Sequence, residues 1–298
     1  MFDVENYNIT HITDYNDILH LPRWFLWSFP LFNTIMIVLG LAGNLFVLVA
    51  TLKYDAIDLD RASVMYLQNL AGADSLILVF YFIPVLLVLI SRKWILGEFM
   101  CFIAVNVTSY AFFVENLMIL AIACHRAWVV LKPFKPPSIR LSYLVINMTW
   151  AMGLVHEIVL MFWSSKVYYS PYIFNCRRSF GKSLIAFVIV RQVVPSVVII
   201  SANMIILGVI FSLKPIPGIT TASRRKPLLL VFWTSFVYLL IWIPDLFESI
   251  IGARGHIWDT KYFNPEIMEI CTLYLHLVLN PVIYTLTNKR FKSFVLSK

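Results

Sequence analysis

The chain has 298 residues, of which 60% are hydrophobic and only 13% are charged, and its mean hydropathy is +0.80. A soluble domain of this length needs far more polar surface, so the composition argues against a large soluble α-helical protein. The formal net charge is +8. Because the basic residues cluster at the ends of apolar runs, this charge indicates membrane topology, and we expect no nucleic-acid partner.

Seven apolar runs follow one another along the chain, each close to or above the length of about 20 residues that spans a bilayer as a helix. A helix is favoured in lipid because it satisfies its backbone hydrogen bonds internally. The predicted spans are Trp24–Leu52, Ala62–Ile90, Met100–Leu131, Leu141–Trp163, Ser183–Leu213, Pro227–Ile251 and Glu269–Leu286. The sequence therefore predicts an all-α membrane protein with a seven-transmembrane helix bundle.

The segments outside the spans complete the predicted organisation. Residues 1–23 are predicted to form an extracellular tail, 24–287 the bundle, and 288–298 a short amphipathic eighth helix on the cytoplasmic leaflet. No short apolar leader with a small-residue cleavage site precedes the first span, so we expect this helix to serve as the insertion signal. Fourteen lysines and arginines fall on one side of the bundle and nine on the other. This asymmetry favours an extracellular N-terminus and a cytoplasmic C-terminus in the plasma membrane.

Two features of the predicted extracellular side involve covalent chemistry. Asn8 begins an Asn-Ile-Thr triplet in the polar tail, which matches the acceptor pattern for N-glycosylation. Cys101 opens the third span and Cys176 follows the fourth, so both face an oxidising compartment and we expect them to form a disulfide. Cys124 and Cys271 lie inside spans and are expected to be packing residues.

Five polar residues from four spans fall at a similar depth, if each helical residue adds about 1.5 Å of rise. They are Asn44, Asp74, Glu115, His276 and Asn280. Two neighbouring carboxylates require either that one is protonated or that a small cation such as Na⁺ lies between them, with Asp74, Glu115 and Asn280 as candidate ligands. The alternative is a hydrogen-bond network that only holds the helices together.

A second set of charged residues lies in the predicted extracellular half of the bundle. Arg191 is in the fifth span, and Asp245 and Glu248 are in the sixth, directly after Pro244, where the helix loses a backbone hydrogen bond. One alternative is an Arg191–Asp245 ion pair with a structural role alone. We favour a pocket for a ligand with charged groups. Further basic residues of this region are Arg177, Arg178 and Lys182.

No pattern of an enzyme is found along the chain. His156 and Glu157 resemble the start of a zinc-protease helix, but the second histidine would have to be residue 160, which is leucine. Neither a catalytic triad nor a phosphate-binding loop is evident. We therefore expect that the protein is not an enzyme.

Short motifs occur along the chain in a defined order. They are Gly43-Asn44, "NLAGAD" ending in Asp74, "WILGEFMC" ending in Cys101, "IWIP" with Trp242 and Pro244, and "NPVIY" with Asn280, Pro281 and Tyr284. Together they resemble the rhodopsin-like (class A) G-protein-coupled receptors over nearly the whole chain. The resemblance implies a cell-surface receptor that binds a ligand in its outer half and opens an intracellular cleft for a heterotrimeric G protein.

The resemblance also assigns roles to individual residues. The implied G-protein-contact and activation residues are His125, Arg126, Trp242, Pro244, Asn280, Pro281 and Tyr284. The implied ligand-pocket residues are Thr108, Phe112, Arg191, Asp245, Glu248 and Tyr274. Thr108 stands where amine receptors carry an aspartate, and Tyr274 stands where retinal-binding members carry a lysine. These residues argue against an opsin and a typical amine receptor. The charged residues of the predicted outer pocket lead us to expect a polar or charged small molecule or a short peptide as the ligand.

Several residues depart from the family pattern. The family usually places an acid directly before Arg126, where this chain has His125, and a second acid at the position of Arg224. We expect Arg126 to lack these resting-state partners, which would raise basal activity. Asn203 replaces a tyrosine of the fifth helix, which keeps open a non-signalling ligand-binding receptor, a decoy or scavenger. The buried carboxylates also leave a seven-helix proton or ion transporter as a more distant alternative.

Overall fold

The computed structural model describes residues 21–53, 60–132, 135–163, 166–179, 193–212 and 265–287. Its helices, numbered here in chain order, are α1 (Arg23–Lys53), α2 (Arg61–Ser91), α3 (Gly97–Leu131), α4 (Ile139–Trp163), α5 (Val194–Ser212) and α6 (Pro265–Thr287). Helix α6 corresponds to the seventh predicted span. The sixth predicted span, Pro227–Ile251, and the predicted amphipathic helix 288–298 lie outside the described residues.

The described helices expose large apolar side chains and bury several polar ones, as expected of a protein that lies in lipid. Helices α1, α2, α3 and α4 are each long and apolar enough to cross a membrane. Large apolar side chains such as Trp27 and Phe162 are 79% and 87% exposed, whereas Asp74, Glu115 and Asn116 are completely buried. Apolar groups outside and polar groups inside suit a hydrocarbon environment.

Helix α3 is the centre of the bundle, since it packs against α2, α4 and α5 and against the hairpin that follows α4. It begins at Gly97, whose φ is +76°. Residues with a Cβ rarely adopt this backbone conformation. The carbonyl of Gly97 accepts a hydrogen bond from Nε1 of Trp94 at 2.9 Å. This local contact fixes the chain direction before Cys101.

Helix α2 contains a single π-helical turn, Leu78–Phe82, directly before Pro84. Proline has no backbone N–H and its ring crowds the carbonyl one turn earlier, so a wider turn relieves the conflict. The carbonyl of Tyr81, within this turn, accepts a hydrogen bond from Nδ2 of Asn175 at 3.1 Å. The irregular turn thereby provides an anchor for the segment that follows α4.

That segment is a β-hairpin, which the all-α prediction does not include. Strands β1 (Lys166–Ser170) and β2 (Asn175–Ser179) pair antiparallel, with Tyr169 opposite Cys176. Valine and tyrosine residues favour a strand in β1, and a disulfide from Cys176 to Cys101 ties β2 to α3. The predicted disulfide is confirmed. Tyr169, Phe174 and Cys176 are buried, so the hairpin is packed into one end of the bundle.

Glycines allow two close helix contacts. An added Cβ at Gly43 would lie 2.9 Å from Cβ of Pro281, where α1 meets α6. An added Cβ at Gly153 would lie 2.7 Å from Cε2 of Tyr110 and 2.8 Å from Cγ2 of Val114, where α4 meets α3. Small residues of this kind let helices approach closely where no hydrophobic effect drives their association.

Candidate functional site

A polar chamber in the middle of the bundle brings together Asp74, Glu115, His276 and Asn280, four of the five residues predicted to lie at one depth. Nδ2 of Asn280 donates to Oδ2 of Asp74 at 3.2 Å and lies 3.3 Å from Nε2 of His276. Nε2 of His276 is 2.6 Å from Oε1 of Glu115. The two atoms are within hydrogen-bond distance of each other.

Helix α1 joins the chamber through Asn44. Its Nδ2 atom donates to the carbonyl of Leu277 at 3.2 Å and to that of Gly40 at 3.0 Å. These bonds connect α1 to α6 through a backbone carbonyl. The chamber therefore involves α1, α2, α3 and α6.

Oδ1 of Asp74 and both oxygens of Glu115 are buried, and apart from the contact of Oε1 with His276 and the approach of the two carboxyl groups to each other, these oxygens lack hydrogen-bond partners among the described residues. Such acceptors fit a small hard cation that prefers oxygen ligands. In the described part of the chain, however, no three His, Cys, Asp or Glu side chains are arranged to hold a metal ion. A cation here would need these two carboxylates together with amide or water oxygens.

The disulfide end of the bundle, defined by the Cys101–Cys176 bond, contains a buried charged cluster. Nη2 of Arg178, on β2, donates to Oε2 of Glu157 at 2.8 Å and to Oδ1 of Asn106 at 2.7 Å. Nδ1 of His156 lies 3.3 Å from Oε1 of Glu157, and the His156 ring stacks on Phe113 with centroids 4.1 Å apart. The cluster joins the hairpin to α3 and α4, since Asn106 is on α3 and Glu157 on α4.

This cluster was not predicted as a unit from the sequence. The sequence predicts Arg178 to be a basic residue near the pocket, whereas Glu157 stands out only in a pattern that resembles the start of a zinc-protease helix. The available signal was an ionisable residue inside an apolar span, which requires a partner in lipid. Nη1 of Arg178 and Oγ1 of Thr108 are buried and have no hydrogen-bond partner among the described residues.

The predicted pocket residues Phe112 and Tyr274 belong to one chain of aromatic rings. Phe112 meets Tyr81 with centroids 6.2 Å apart, Tyr81 meets Phe82 at 4.9 Å, and Phe82 meets Tyr274 at 3.7 Å. The Tyr274 hydroxyl donates to Oδ1 of Asn33 at 2.5 Å. Tyr274 is completely buried and joins α6 to α1 and α2.

Several predicted residues lie outside the described part of the chain. They are Asn8 of the tail, and Arg191, Trp242, Pro244, Asp245 and Glu248 of the predicted pocket and switch. Pro281 is buried in α6 beside Gly43. Tyr284 lies in the last turns of α6, but its side chain is outside the described part.

The opposite end of the bundle, which contains Arg126, has an acidic group that the sequence did not reveal. Oδ2 of Asp60 accepts from Nη1 of Arg126 at 3.0 Å, and Oδ1 of Asp60 lies 3.1 Å from Nε2 of His125. We call this arrangement the Asp60 bridge, formed by Asp60, His125 and Arg126. The expectation that Arg126 lacks an acidic partner is therefore wrong, because an acid at the start of α2 takes the place of one on α3.

Local chemistry fixes Asp60 in this position. It is the N-cap of α2, where its Oδ1 accepts from the backbone N–H of Ser63 at 2.9 Å and its Oδ2 from the Ser63 hydroxyl at 2.8 Å. A short acidic side chain is well suited to cap the free N–H groups of a helix start. Each carboxylate oxygen thus faces one group of Ser63 and one basic side chain of α3.

The Asp60 carboxylate is negatively charged in this setting. Partial burial tends to raise its pKa, but the hydrogen bond with His125 and the positive charge of Arg126 outweigh burial and hold the pKa well below its usual range. Because an ionised carboxylate only accepts hydrogen bonds, Nε2 of His125 carries the proton that faces it. His125 and Arg126 are themselves buried, with the His125 ring 5.6 Å from that of Tyr66.

The comparisons with known proteins agree on one family. Residues 43–284 match the family model described as 7 transmembrane receptor (rhodopsin family). The chain is 23% identical over 291 residues to melatonin receptor type 1B of Rattus norvegicus, a match that covers 89% of this chain and 77% of the relative. It is 21% identical over 277 residues to galanin receptor 2b of Danio rerio, with 87% and 71% covered.

Two further similarities complete the comparison. Atypical chemokine receptor 2 of Mus musculus is 23% identical over 299 residues, with 94% of this chain and 75% of the relative covered. The crystal structure of squid rhodopsin is similar with a TM-score of 0.76 at 18% identity, with 92% of this chain and 85% of that chain covered. The structural match confirms the predicted seven-transmembrane helix bundle.

Proposed function

The chain belongs to the rhodopsin family of seven-transmembrane receptors, as its motifs indicate, and on that premise we propose that it is a signalling receptor. In this proposal an extracellular polar or charged small molecule or short peptide activates a heterotrimeric G protein through the receptor. The observation that carries it is the placement of Arg126. This arginine is largely buried at one end of the bundle and is held there by an ion pair that a conformational change can break.

The proposed orientation follows from the positions of the disulfide and of Arg126. A multi-pass receptor of the plasma membrane has its disulfide in an oxidising compartment, so the disulfide end faces outward and the Arg126 end faces the cytoplasm. The N-terminus is then extracellular, which exposes Asn8 for glycosylation, and the C-terminus is cytoplasmic. An N-terminal epitope tag should be accessible to antibody on intact cells, and staining only after permeabilisation would reverse this orientation.

The proposed ligand site lies beneath the β-hairpin. Arg178 offers a buried N–H group and Thr108 a buried hydroxyl, and neither has a hydrogen-bond partner among the described residues. A ligand with an acceptor group would form a hydrogen bond with the Arg178 N–H. Without the ligand, this N–H is a donor that has no acceptor in a region of low dielectric. Phe112 supplies an apolar neighbour, and Arg191, Asp245 and Glu248 remain proposed pocket residues.

We include Na⁺ in the proposal, as the cation of the polar chamber. The buried oxygens of Asp74 and Glu115 would hold it, and the ion would balance two carboxylates in a resting bundle. Thermal unfolding of the purified receptor should then occur at a higher temperature in NaCl than in N-methyl-D-glucamine chloride of equal concentration. Asp74→Asn should remove the difference. If the unsubstituted receptor shows no difference, Na⁺ is not bound in the chamber.

A coupling screen tests the proposed function. Membranes that contain the receptor are combined with each G-protein family, and guanine-nucleotide exchange is measured with and without candidate polar ligands. We expect exchange above that of membranes with an Arg126→Ala variant for at least one family. Equal exchange in the two membranes under all conditions would contradict a signalling receptor.

A non-signalling ligand-binding receptor is the second candidate. The residues His125 and Asn203 favour it, since they replace family residues on either side of the proposed G-protein cleft. One relative, atypical chemokine receptor 2, is atypical by its printed name. Ligand uptake by cells without nucleotide exchange on any G protein would support this second function over the first.

A further inference from the structure

We propose that Asp60 is the resting-state counterion of Arg126 and that it restrains the receptor from activating G proteins without a ligand. This inference rests on the proposed function, but it concerns a residue that lies outside the motifs of the sequence. It also reverses the expectation of raised basal activity. The basis of that expectation was a missing acid, and the Asp60 bridge supplies one.

The first argument is charge balance at the end of α3. His125 and Arg126 are adjacent basic residues, and both side chains are buried. Uncompensated positive charge is costly in such a place, and the cost falls when a carboxylate lies within hydrogen-bond distance. Asp60 meets this requirement for Arg126, whose Nη1 lies 3.0 Å from Oδ2, and its other oxygen lies 3.1 Å from Nε2 of His125.

The second argument is mechanical. Asp60 precedes the first turn of α2, whereas Arg126 lies near the last turns of α3. One carboxylate therefore connects two helix ends that meet only through tertiary structure. A G protein that contacts the Arg126 guanidinium must compete with this carboxylate, so the bridge favours the resting state over any state in which Arg126 is released.

The third argument concerns His125. A carboxylate at this position would compete with Asp60 for Arg126, whereas a histidine donates to Asp60 and holds it toward α3. The start of α2 thus supplies the acid that the position before Arg126 lacks, and His125 contacts that acid. A histidine that was merely tolerated would not need the Asp60 contact.

The test begins with Asp60→Asn, which removes the charge but keeps a side chain that caps a helix start well. The carboxylate is partly exposed, so the ion pair is of modest strength and we expect basal nucleotide exchange to rise about two- to fivefold. The thermal midpoint should fall by about 2 °C. Glu98→Gln, the same chemical change on an exposed residue at the opposite end of α3, is the matched control and should leave both values unchanged.

The decisive variant is the double substitution Asp60→Asn with His125→Asp. It returns an acid to the position beside Arg126, so basal exchange and the thermal midpoint should both return toward the wild-type values. In the wild-type background, His125→Asp alone should not lower basal exchange, because Arg126 already has a partner. A fall in that single variant would show that Arg126 is unrestrained and would overturn the proposal.

The two readouts separate this inference from the proposed function. If no variant promotes exchange on any G protein, but the thermal midpoint falls in Asp60→Asn and recovers in the double variant, then the bridge exists and the signalling function is wrong. If the wild type promotes exchange and Asp60→Asn changes neither exchange nor the thermal midpoint, the receptor signals and the Asp60 restraint is wrong.

Discussion

At the scale of single residues, buried charges are distributed in partnered groups. Arg178 with Glu157, His276 with Glu115, and Arg126 with Asp60 each place a basic and an acidic side chain within 3.0 Å of each other. Removing one member of a buried charged pair strongly destabilises a protein, because the other charge is left without a partner. Removing both members is far less destabilising. The partner is therefore as informative about each site as the charged residue itself.

The Arg178–Glu157 pair gives a prediction at this scale. Arg178→Met should destabilise the receptor by roughly 3–5 kcal/mol, because it leaves the Glu157 carboxylate buried without its cation. The double variant Arg178→Met with Glu157→Gln should recover much of that loss. Thermal or denaturant unfolding of the purified protein measures both values. Equal losses in the single and the double variant would mean that the pair does not act as a unit.

The neighbouring Arg177 offers a control for this experiment. It lies on the same strand but is exposed, with Tyr168 opposite it across the hairpin. Arg177→Met should change stability by less than about 1 kcal/mol, as expected for an exposed charge. A loss as large as that of Arg178→Met would point to a general effect of lost positive charge on the hairpin.

At the scale of secondary-structure elements, close packing sets the positions of the sites. Gly153 lets α4 approach α3 near Tyr110, and α4 carries Glu157 four residues later, which is the next turn of the same helix face. The α3–α4 approach therefore determines whether Glu157 can reach Arg178. The π-helical turn of α2 helps to position the hairpin, because the Tyr81 carbonyl in this turn accepts a hydrogen bond from the Asn175 side chain.

Two glycine substitutions test this packing. Gly153→Ala places a methyl group 2.7 Å from a Tyr110 ring carbon, so we expect a loss of roughly 1–3 kcal/mol from overpacking. Gly72→Ala is the matched control, because an added Cβ at Gly72 meets nothing within 4 Å. In the control, the better helix propensity of alanine should make stability equal or slightly higher.

The free energies of unfolding of the Gly153→Ala and Gly72→Ala proteins, measured by the same method, test whether α4 is packed tightly against α3. A Gly153→Ala protein that is as stable as the Gly72→Ala protein would show that the helices separate at little cost. In that case α4 would not be held against α3 by shape, and the position of Glu157 would need another explanation.

At the scale of the whole molecule, the sequence predicted the bundle well. Long apolar runs, the basic residues at their ends and the ordered motifs each specify a membrane helix or its position, and these signals are local in the chain. The depth argument also placed Asp74, Glu115, His276 and Asn280 together, because the rise per residue of a helix is constant. The disulfide followed from the compartment of its two cysteines.

Other features were beyond the reach of such arguments. The Asp60 bridge joins residues 66 positions apart in sequence, and Asp60 lies just outside a predicted span, where an acidic residue is unremarkable. The hairpin was missed because strands Lys166–Ser170 and Asn175–Ser179 are short and depend on a disulfide and on a side chain bonded to α2. Each of these depends on tertiary contacts that helix periodicity does not encode.

At this scale we propose a receptor with an outer ligand region, a central polar chamber and an inner restraint on Arg126. Coupling between the ends requires that at least two global states exist and that the ligand and the G protein both favour the same one. If the Asp60 bridge belongs to the resting state, as we propose, its removal should shift the population toward the active state even without a ligand.

Basal nucleotide exchange by the Asp60→Asn receptor is the most direct test of this account. Membranes with equal amounts of the wild-type and variant receptors are compared on the G protein that gives the strongest wild-type signal, or on every G-protein family if the wild-type signal is at background. The account predicts low exchange for the wild type and about two- to fivefold higher exchange for Asp60→Asn. Exchange by Asp60→Asn that equals or falls below the wild-type value would contradict it.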